Sequence, residues 1–569
     1  MFRREKESTG VQTRESNGNN RKYISDRTAG KPMAGFLVRQ LGKVSMIGIS
    51  ILIIVCMATL AEGRTLIVDD SGGKDHITIQ EAIDEANDGD EVRVYGGTYE
   101  ETLTIDKTIR LRGNGTVSTF IKGIASRETI TIKSNQVQVE GFTIDGGSSG
   151  IMVKSREATI TRNHLRNSAY GIFVIGPATR ITGNMITNNQ ICGIQINHAP
   201  GTHLEENTVV ENQEGILIES SENVTLKYNV LLGNDVSFGD SSPEEILTTS
   251  LEDTNTVDGR PILFRKWTSG VYDGEKYGQI FILNCTELTL NDPIIEDRTI
   301  GVLIMESTNI TIRNAKMASC GMGIEVNRCT GLMISGGEFR NNSEDGIRLL
   351  ASRKSTISDV ICSGNYEAGI SSANGAELSI RNSEFKQNEQ GIYLQGEGIV
   401  AISGCKITRN VKSGTFLGES QNVVISECDI SDNSCGIEVH SGRWYEFREN
   451  NIEGNDEYGV CMWGVSRWEI DITMNWWGSV DGPYNRDENL EGDGDQTLGS
   501  MNVSPWRTTP ADTNPQGKKA NGSDGGTGIL DPEILVLLVI MMVLLSMIGG
   551  VIYHVFWVRD SWREDDFQS

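Results

Sequence analysis

The chain has 569 residues, of which 77 are acidic and 51 basic, giving a net charge of −26. A surface that acidic repels phosphate backbones, which excludes nucleic acid as a partner. Gly is abundant (64), Pro scarce (11) and aromatic residues few (6%), as turn-rich stacked β-structure requires.

Residues 1–61 carry ten basic and four acidic groups and residues 559–569 two and four, which leaves about −30 for 62–558. Residues 1–43 are a basic leader, expected to stay cytoplasmic. Val44–Leu60 is apolar and ends in Thr-Leu-Ala-Glu-Gly, so 44–61 reads as a signal peptide with cleavage after Ala61 or as an uncleaved anchor. At the other end, Ile534–Val558 is 25 residues with only His554 ionisable, long enough to span a bilayer. The expected topology is a cell-membrane protein with 62–533 outside and the tail 559–569 inside. Seven Asn-x-Ser/Thr sequons (Asn114, Asn223, Asn284, Asn309, Asn341, Asn502, Asn521) accord with export.

Thr65–Val68 reads as a first strand. Thr78 and Glu81 have capping-box spacing, and Ile79, Ala82, Ile83 and Ala86 follow at helical spacing, so 76–87 is expected to be an amphipathic N-terminal cap over the open end of a sheet stack. Short strands at Glu91–Tyr95, Leu103–Ile105, Ile109–Leu111 and Ile130–Ile132 lead into a ladder of glycines at 150, 171, 193 and 215. Residues 238–277 are polar and break the ladder, and strands resume at Gln279–Leu283. The ladder then runs through Gly301, Gly323, Gly346, Gly369, Gly391, Gly414, Gly436 and Gly459 at intervals of 22 or 23, nearly always followed by Ile or Val. A fixed period in the twenties marks a solenoid. Alternating runs such as Gly-Ile-Glu-Val, separated by Asn, Ser and Gly, make each repeat three short strands and three turns. The predicted fold is therefore all-β, a parallel β-helix solenoid with coils of about 22 residues. After Trp463 the chain is rich in Trp (Trp468, Trp476, Trp477, Trp506), and 464–507 reads as a packed C-terminal cap or a sugar-stacking platform. Residues 62–507 form the expected ectodomain and 508–533 a flexible linker.

Nine cysteines lie in the exported part, an odd number that cannot all pair. Cys405 and Cys428 share a phase with Ala315, Gly337 and Ser383, so a small inward corner residue explains them without a disulfide.

The run Ile77-Thr-Ile-Gln-Glu-Ala-Ile-Asp84, continuing to Asn87-Asp-Gly-Asp-Glu-Val-Arg-Val-Tyr-Gly-Gly-Thr-Tyr99, resembles the opening of pectin-lyase-like right-handed β-helix proteins. Asn255–Phe264 with Gly278–Cys285 is similar to a segment that NosD-like surface proteins insert between coils. Asn475-Trp-Trp-Gly-Ser-Val-Asp-Gly-Pro483 is similar to a run near their C-terminal ends. The resemblance covers about 65–507. It implies a right-handed β-helix and, because such proteins include lyases, hydrolases, epimerases and non-catalytic members, no single activity.

In Gly-Ile-x-Val the residue x points outward. Read coil by coil it is Met152, Phe173, Gln195 and Leu217, then Leu303, Glu325, Arg348, Ser371, Tyr393, Phe416, Glu438 and Cys461, with His440 and Trp463 at the next outward position. Glu325, Arg348, Tyr393, Phe416 and Glu438 form the candidate ligand-binding row, the aromatics for sugar faces and the charges for hydroxyls or carboxylates. Glu325–Arg348 and Tyr393–Phe416 would stack as pairs on an ordinary solvated sheet as well. The apolar Met152, Phe173 and Leu217 are expected to lie under the 238–277 excursion. Glu325, Asp345 and Arg348, with Glu344, are the nearest match to the carboxylates and Arg of pectate-lyase relatives, which would imply calcium. The polygalacturonase and alginate-epimerase signatures are absent, and no Met, His or Cys cluster suits copper, after which NosD-like proteins are named. No metal or other cofactor is expected outside the lyase reading. The sequence favours a non-catalytic surface protein that binds extracellular polysaccharide or envelope proteins, with an extracellular lyase, hydrolase or epimerase as the alternative.

Overall fold

The computed structural model describes residues 63–463 and 470–513. The apolar segments 44–61 and 534–558, the leader, the tail, most of the expected linker and Trp468 lie outside the described residues. Among the described residues no helix is long and apolar enough to cross a membrane.

The chain winds into a right-handed parallel β-solenoid of about 18 turns. Each early coil contributes one short strand to each of three faces, as in Thr159–Thr161, His164–Arg166 and Tyr170–Val174. In later coils the first two strands often fuse, giving Thr308–Ala318 and Arg353–Ser363. All but one of the strand pairings are parallel. The exception is Thr256–Val257 against Arg260–Lys266.

The glycine ladder has a steric cause. A Cβ on Gly391 would come within 2.5 Å of the Gly414 carbonyl oxygen, and one on Gly414 within 2.6 Å of that of Gly436. Each coil thus passes too close to the next at this corner for any side chain, whatever the backbone angles.

The Ile residues after the glycines are fully buried, as expected, but in two columns. Ile130, Ile151, Ile172, Ile194, Ile216 and Val236 align in register. A second column runs from Leu263 and Ile280 through Val302, Ile324, Ile347, Ile370, Ile392, Thr415, Ile437 and Val460. Between them the Gln279 side chain does the work of a strand. Its Oε1 accepts the Val236 N–H at 3.1 Å and its Nε2 donates to the Val236 carbonyl at 2.8 Å.

The segment 238–277 is the reason for the break. It holds the helix Pro243–Thr248, with a full capping box between Ser242 and Glu245, and strands that pair with coils on both sides. It does not cover Met152, Phe173 and Leu217. Those stay part-exposed, Phe173 stacked on Tyr170 at 5.2 Å. Phe238 packs instead on Phe281 (5.2 Å, edge-on) and Phe264 (6.4 Å).

Near the N-terminus the helix is Ile79–Glu85, shorter than the sequence predicts, with Ile79, Ala82 and Ile83 buried against the first strands. Its expected capping box is not formed. Thr78 makes no side-chain cap, and the Ile79 and Gln80 N–H groups donate to the Glu101 carboxylate of the next coil at 2.8 and 2.9 Å. A carboxylate at a helix N-terminus meets the same orphan donors and the positive dipole end.

Buried side chains also hold the corners. Asn342, Asn365, Asn388, Asn410, Asn433 and Asn455 form a continuous ladder. Each after Asn342 takes the backbone and side-chain N–H groups of the Asn before it on Oδ1 at 2.8–3.2 Å, and Asn342 Oδ1 accepts the Cys320 N–H at 3.0 Å. Cys405 and Cys428 are free and buried, as expected. The Cys405 N–H donates to Cys428 Sγ at 3.4 Å and the Cys428 N–H to Asn450 Oδ1 at 3.0 Å, so they are rungs of a similar corner column. A disulfide joins Cys435 to Cys461 on consecutive coils.

Asp235 sits at the junction, buried, accepting the Thr299 N–H at 2.6 Å and the Thr299 hydroxyl at 3.2 Å. Burial pushes its carboxyl up to about 6 against those hydrogen bonds and the nearby Arg298. Between about pH 4 and 6 the native state keeps a proton that the unfolded chain has lost, so this residue's contribution to stability falls as pH rises through that window. Asp235→Asn keeps the acceptor for Thr299 and removes the ionisation. The stability of the variant relative to the parent is expected to climb from pH 4 to 6 by up to roughly 2–3 kcal/mol and to level above that. Denaturant titrations at stepped pH check this, and a pH-independent difference contradicts it.

Candidate functional site

The outward row is in register. Phe264, Phe281, Leu303, Glu325, Arg348, Ser371, Tyr393, Phe416, Glu438 and Cys461 follow one another on adjacent strands of the third face. Alternation along each strand buries the flanking Ile and Val and leaves this position outside. The row divides into an acidic part and an aromatic part.

In the acidic part the expected Glu325–Arg348 pair does not form. Arg348 makes ion pairs with Asp345 (2.6 Å), Glu344 (3.1 Å) and Glu367 (3.1 Å). The turn before its own strand supplies the first two and the next coil the third, and these partners lie nearer than the cross-strand neighbour. Asp345 is 1% exposed. Besides Arg348 it accepts the Ala368 N–H at 2.9 Å and the Ser371 hydroxyl at 2.6 Å. The candidate catalytic carboxylate Asp345 is therefore held inside a hydrogen-bonded corner, and of the carboxylates that the lyase reading names, Glu344 and Asp345 are engaged by the guanidinium. Glu325 has no hydrogen-bond or ion-pair partner among the described residues. Burial raises its carboxyl above the usual range, with Arg348 opposing and Glu344 reinforcing the shift.

In the aromatic part Tyr393 and Phe416 stack as expected, with ring centroids 4.8 Å apart and planes 7° from parallel. The strip continues one position along each strand. His440 lies 4.8 Å from Phe416, and Trp463 lies 6.4 Å from His440. Trp463 is 49% exposed. His440 Nε2 is 2.6 Å from Glu438 Oε1, and the other Glu438 oxygen accepts the Ser413 hydroxyl. Four rings thus line a path along the solenoid axis, with Glu438 fixing the imidazole. Trp476 and Trp477 behave differently. Trp477 is fully buried in the core, and Trp476 is buried with its Nε1 donating to Glu453 at 2.9 Å.

A recess of about 190 Å³ opens at the far end of the row, where the insert folds back over the coils. Its lining includes Phe238, Ile246, Phe281, Leu303, Glu325 and Asn327. Sequence reasoning missed it because Phe238 and Ile246 reach it only through the insert's local fold.

The comparisons define the class. Residues 269–371 and 322–476 match the family described as right handed beta helix region, and 83–271 match that described as periplasmic copper-binding protein (NosD). The fold is that of a right-handed β-helix, and its earlier coils are similar to the NosD family. Over 122 residues it is 37% identical to a cell surface glycoprotein of Methanothermus fervidus. That match covers 21% of this chain and 20% of the relative, so the chain spans about a fifth of that protein's length. Among solved structures it is similar to the periplasmic alginate epimerase AlgG (13% identity, TM-score 0.29, covering 56% of this chain and 76% of that one). It is also similar to the A-module of the Azotobacter vinelandii mannuronan C-5 epimerase AlgE4 (13%, 0.23, 76% and 93%). Likeness at that level carries no activity across.

The residues present do not fit copper. Among the described residues no three His, Cys, Asp or Glu side chains converge as metal ligands would. The free cysteines are buried one to a coil, and burial pushes the thiols of Cys192 and Cys329 up to about 12, far from the thiolate that binds metal.

Proposed function

We propose that this chain is a cell-surface β-helix protein, anchored in the membrane, that binds glycans along its third face without turning them over. The observation that carries the reading is the strip Tyr393–Phe416–His440–Trp463, a run of stacked and half-exposed rings parallel to the axis. Aromatic faces offer apolar contact to sugar rings, while Glu438 offers an acceptor to hydroxyls. The surface location draws support from the glycoprotein relative and from the sequons. Asn114, Asn223, Asn284, Asn309, Asn341 and Asn502 are all exposed, whereas the ladder asparagines are buried and none begins a sequon. Arg348, from which the sequence predicts a preference for acidic sugars, is taken up by three carboxylates. With about −30 on 62–558, the face favours neutral or cationic glycans.

Tyr393→Ala combined with Phe416→Ala is expected to abolish retention on a glycan column and to change stability by no more than about 1–2 kcal/mol, the scale of one ring stack. Undiminished retention would move the site off this strip. Release of unsaturated sugars, followed by absorbance, would make the protein a lyase.

A further inference from the structure

The recess at the closed end of the row has a shape and a charge of its own. Its inner wall is Phe281 and Leu303, outward residues of adjacent coils, closed over by Phe238 and Ile246 from the insert, so that none of the four is more than 5% exposed. Phe238 meets Phe281 edge-on, so the row is walled off at this end, while towards Trp463 it stays open. A chain lying along the row therefore has to end here. At about 190 Å³ the recess admits one sugar-sized ring and no more of a chain.

Its polar lining is Ser237, Ser241, Thr299, Asn327 and Glu325, of which Glu325 is the one ionisable group. The Glu325 carboxylate has no protein donor, although burial disfavours its charge. The surrounding groups sharpen the asymmetry. Beside Glu325 the guanidinium of Arg348 is taken up by Glu344, Asp345 and Glu367; Arg328 is paired with Glu306 and Glu244, and the Lys266 ammonium is held by the Leu247 and Thr249 carbonyls, so none of these cations neutralises Glu325. An anionic sugar is repelled from such a site, a neutral one leaves Glu325 without a countercharge, and an ammonium satisfies it. Glu325 lies three rungs from Tyr393, roughly 14 Å at one strand spacing each, so a short oligosaccharide can occupy recess and ring strip together.

We propose that the recess receives the terminal ring of the bound glycan and that this ring carries a primary amine, its ammonium on Glu325. This deepens the ring-strip reading and rests on it. The strip supplies general affinity for sugar rings, and the recess selects an amino sugar at the chain end.

The test uses the full-length protein in detergent and compares the fully deacetylated glucosamine tetramer with its fully N-acetylated counterpart by calorimetric titration. The free amine is expected to bind about ten-fold tighter. Glu325→Gln, which keeps the shape, is expected to level the two affinities. A tetramer with its one free amine on the terminal ring that enters the recess is expected to keep the preference, and one with its amine on an interior ring to lose it. Equal affinities in the parent, or a preference that survives Glu325→Gln, overturn the recess assignment and leave the ring strip standing. Binding of both tetramers that persists in the Tyr393→Ala, Phe416→Ala protein overturns the strip. Failure of both tetramers to bind the parent overturns both readings.

Discussion

Ile392→Asp is expected to lower the stability of the solenoid by roughly 4–5 kcal/mol, enough to remove the cooperative transition of the coils around it. Ile392 is fully buried between Ile370 and Thr415 in the second Ile column. Its side chain gains about 1.5–3 kcal/mol from burial, which the substitution forfeits. The carboxylate would enter a column with no donor to meet it, and its desolvation adds the rest. In a stack of near-identical coils the damage passes to both neighbours through the shared interfaces. Ile392→Val serves as the control and is expected to cost about 0.5–1.5 kcal/mol. Thermal unfolding followed by circular dichroism separates the two, and an Asp variant that melts with the Val variant would remove Ile392 from the core.

The second large effect belongs to the asparagine ladder. Asn388→Leu is nearly isosteric, yet it is expected to cost roughly 3–5 kcal/mol. Asn388 Oδ1 accepts both the backbone and side-chain N–H groups of Asn365, at 3.0 and 2.9 Å. Its Nδ2 donates to Asn410 Oδ1 and to the Cys362 carbonyl, both at 3.2 Å. Leu would strand the Asn365 donors and the Cys362 carbonyl on the coil before, and would take from Asn410 Oδ1 one of its two donors, each buried polar group costing about 1–3 kcal/mol when unpaired. Asn388→Asp keeps the acceptor and introduces a buried charge beside Asn410 Oδ1, so it is expected to be destabilising above neutral pH and milder in acid. Hydrogen exchange at Asn365 N–H reads the local consequence, and protection unchanged from the parent would contradict the bridging role.

The sequence discloses whatever repeats. Glycines recur because every coil meets its neighbour at the same close corner, as Gly391 meets Gly414, and the outward row follows because a two-residue alternation counted from that glycine cannot slip. The buried asparagines carry the same kind of signal, three or four residues before the glycine in coil after coil. Contacts that do not repeat stay hidden. Arg348 stands opposite Glu325 on the ladder, but the turn before its strand places Glu344 and Asp345 closer. Glu101 takes the helix N–H groups that the Thr78–Glu81 spacing assigns to a capping box, because the coil stack brings its carboxylate there. The recess depends on one irregular insert, whose Phe238 and Ile246 have no counterpart in other coils.

The amide of Gln279 makes the solenoid a spliced object. On either side of it the third face is sewn by main-chain bonds several to a coil, yet across the splice Val236 is held by one side chain. Under tension along the axis, load that neighbouring coils of this face share through several main-chain bonds passes here through that amide, through Asp235 on Thr299, and through the insert, whose strands pair with the coils on both sides. The insert is thus a clasp as well as an interruption, and what joins the two stacks of windings is local and irregular where everything else repeats.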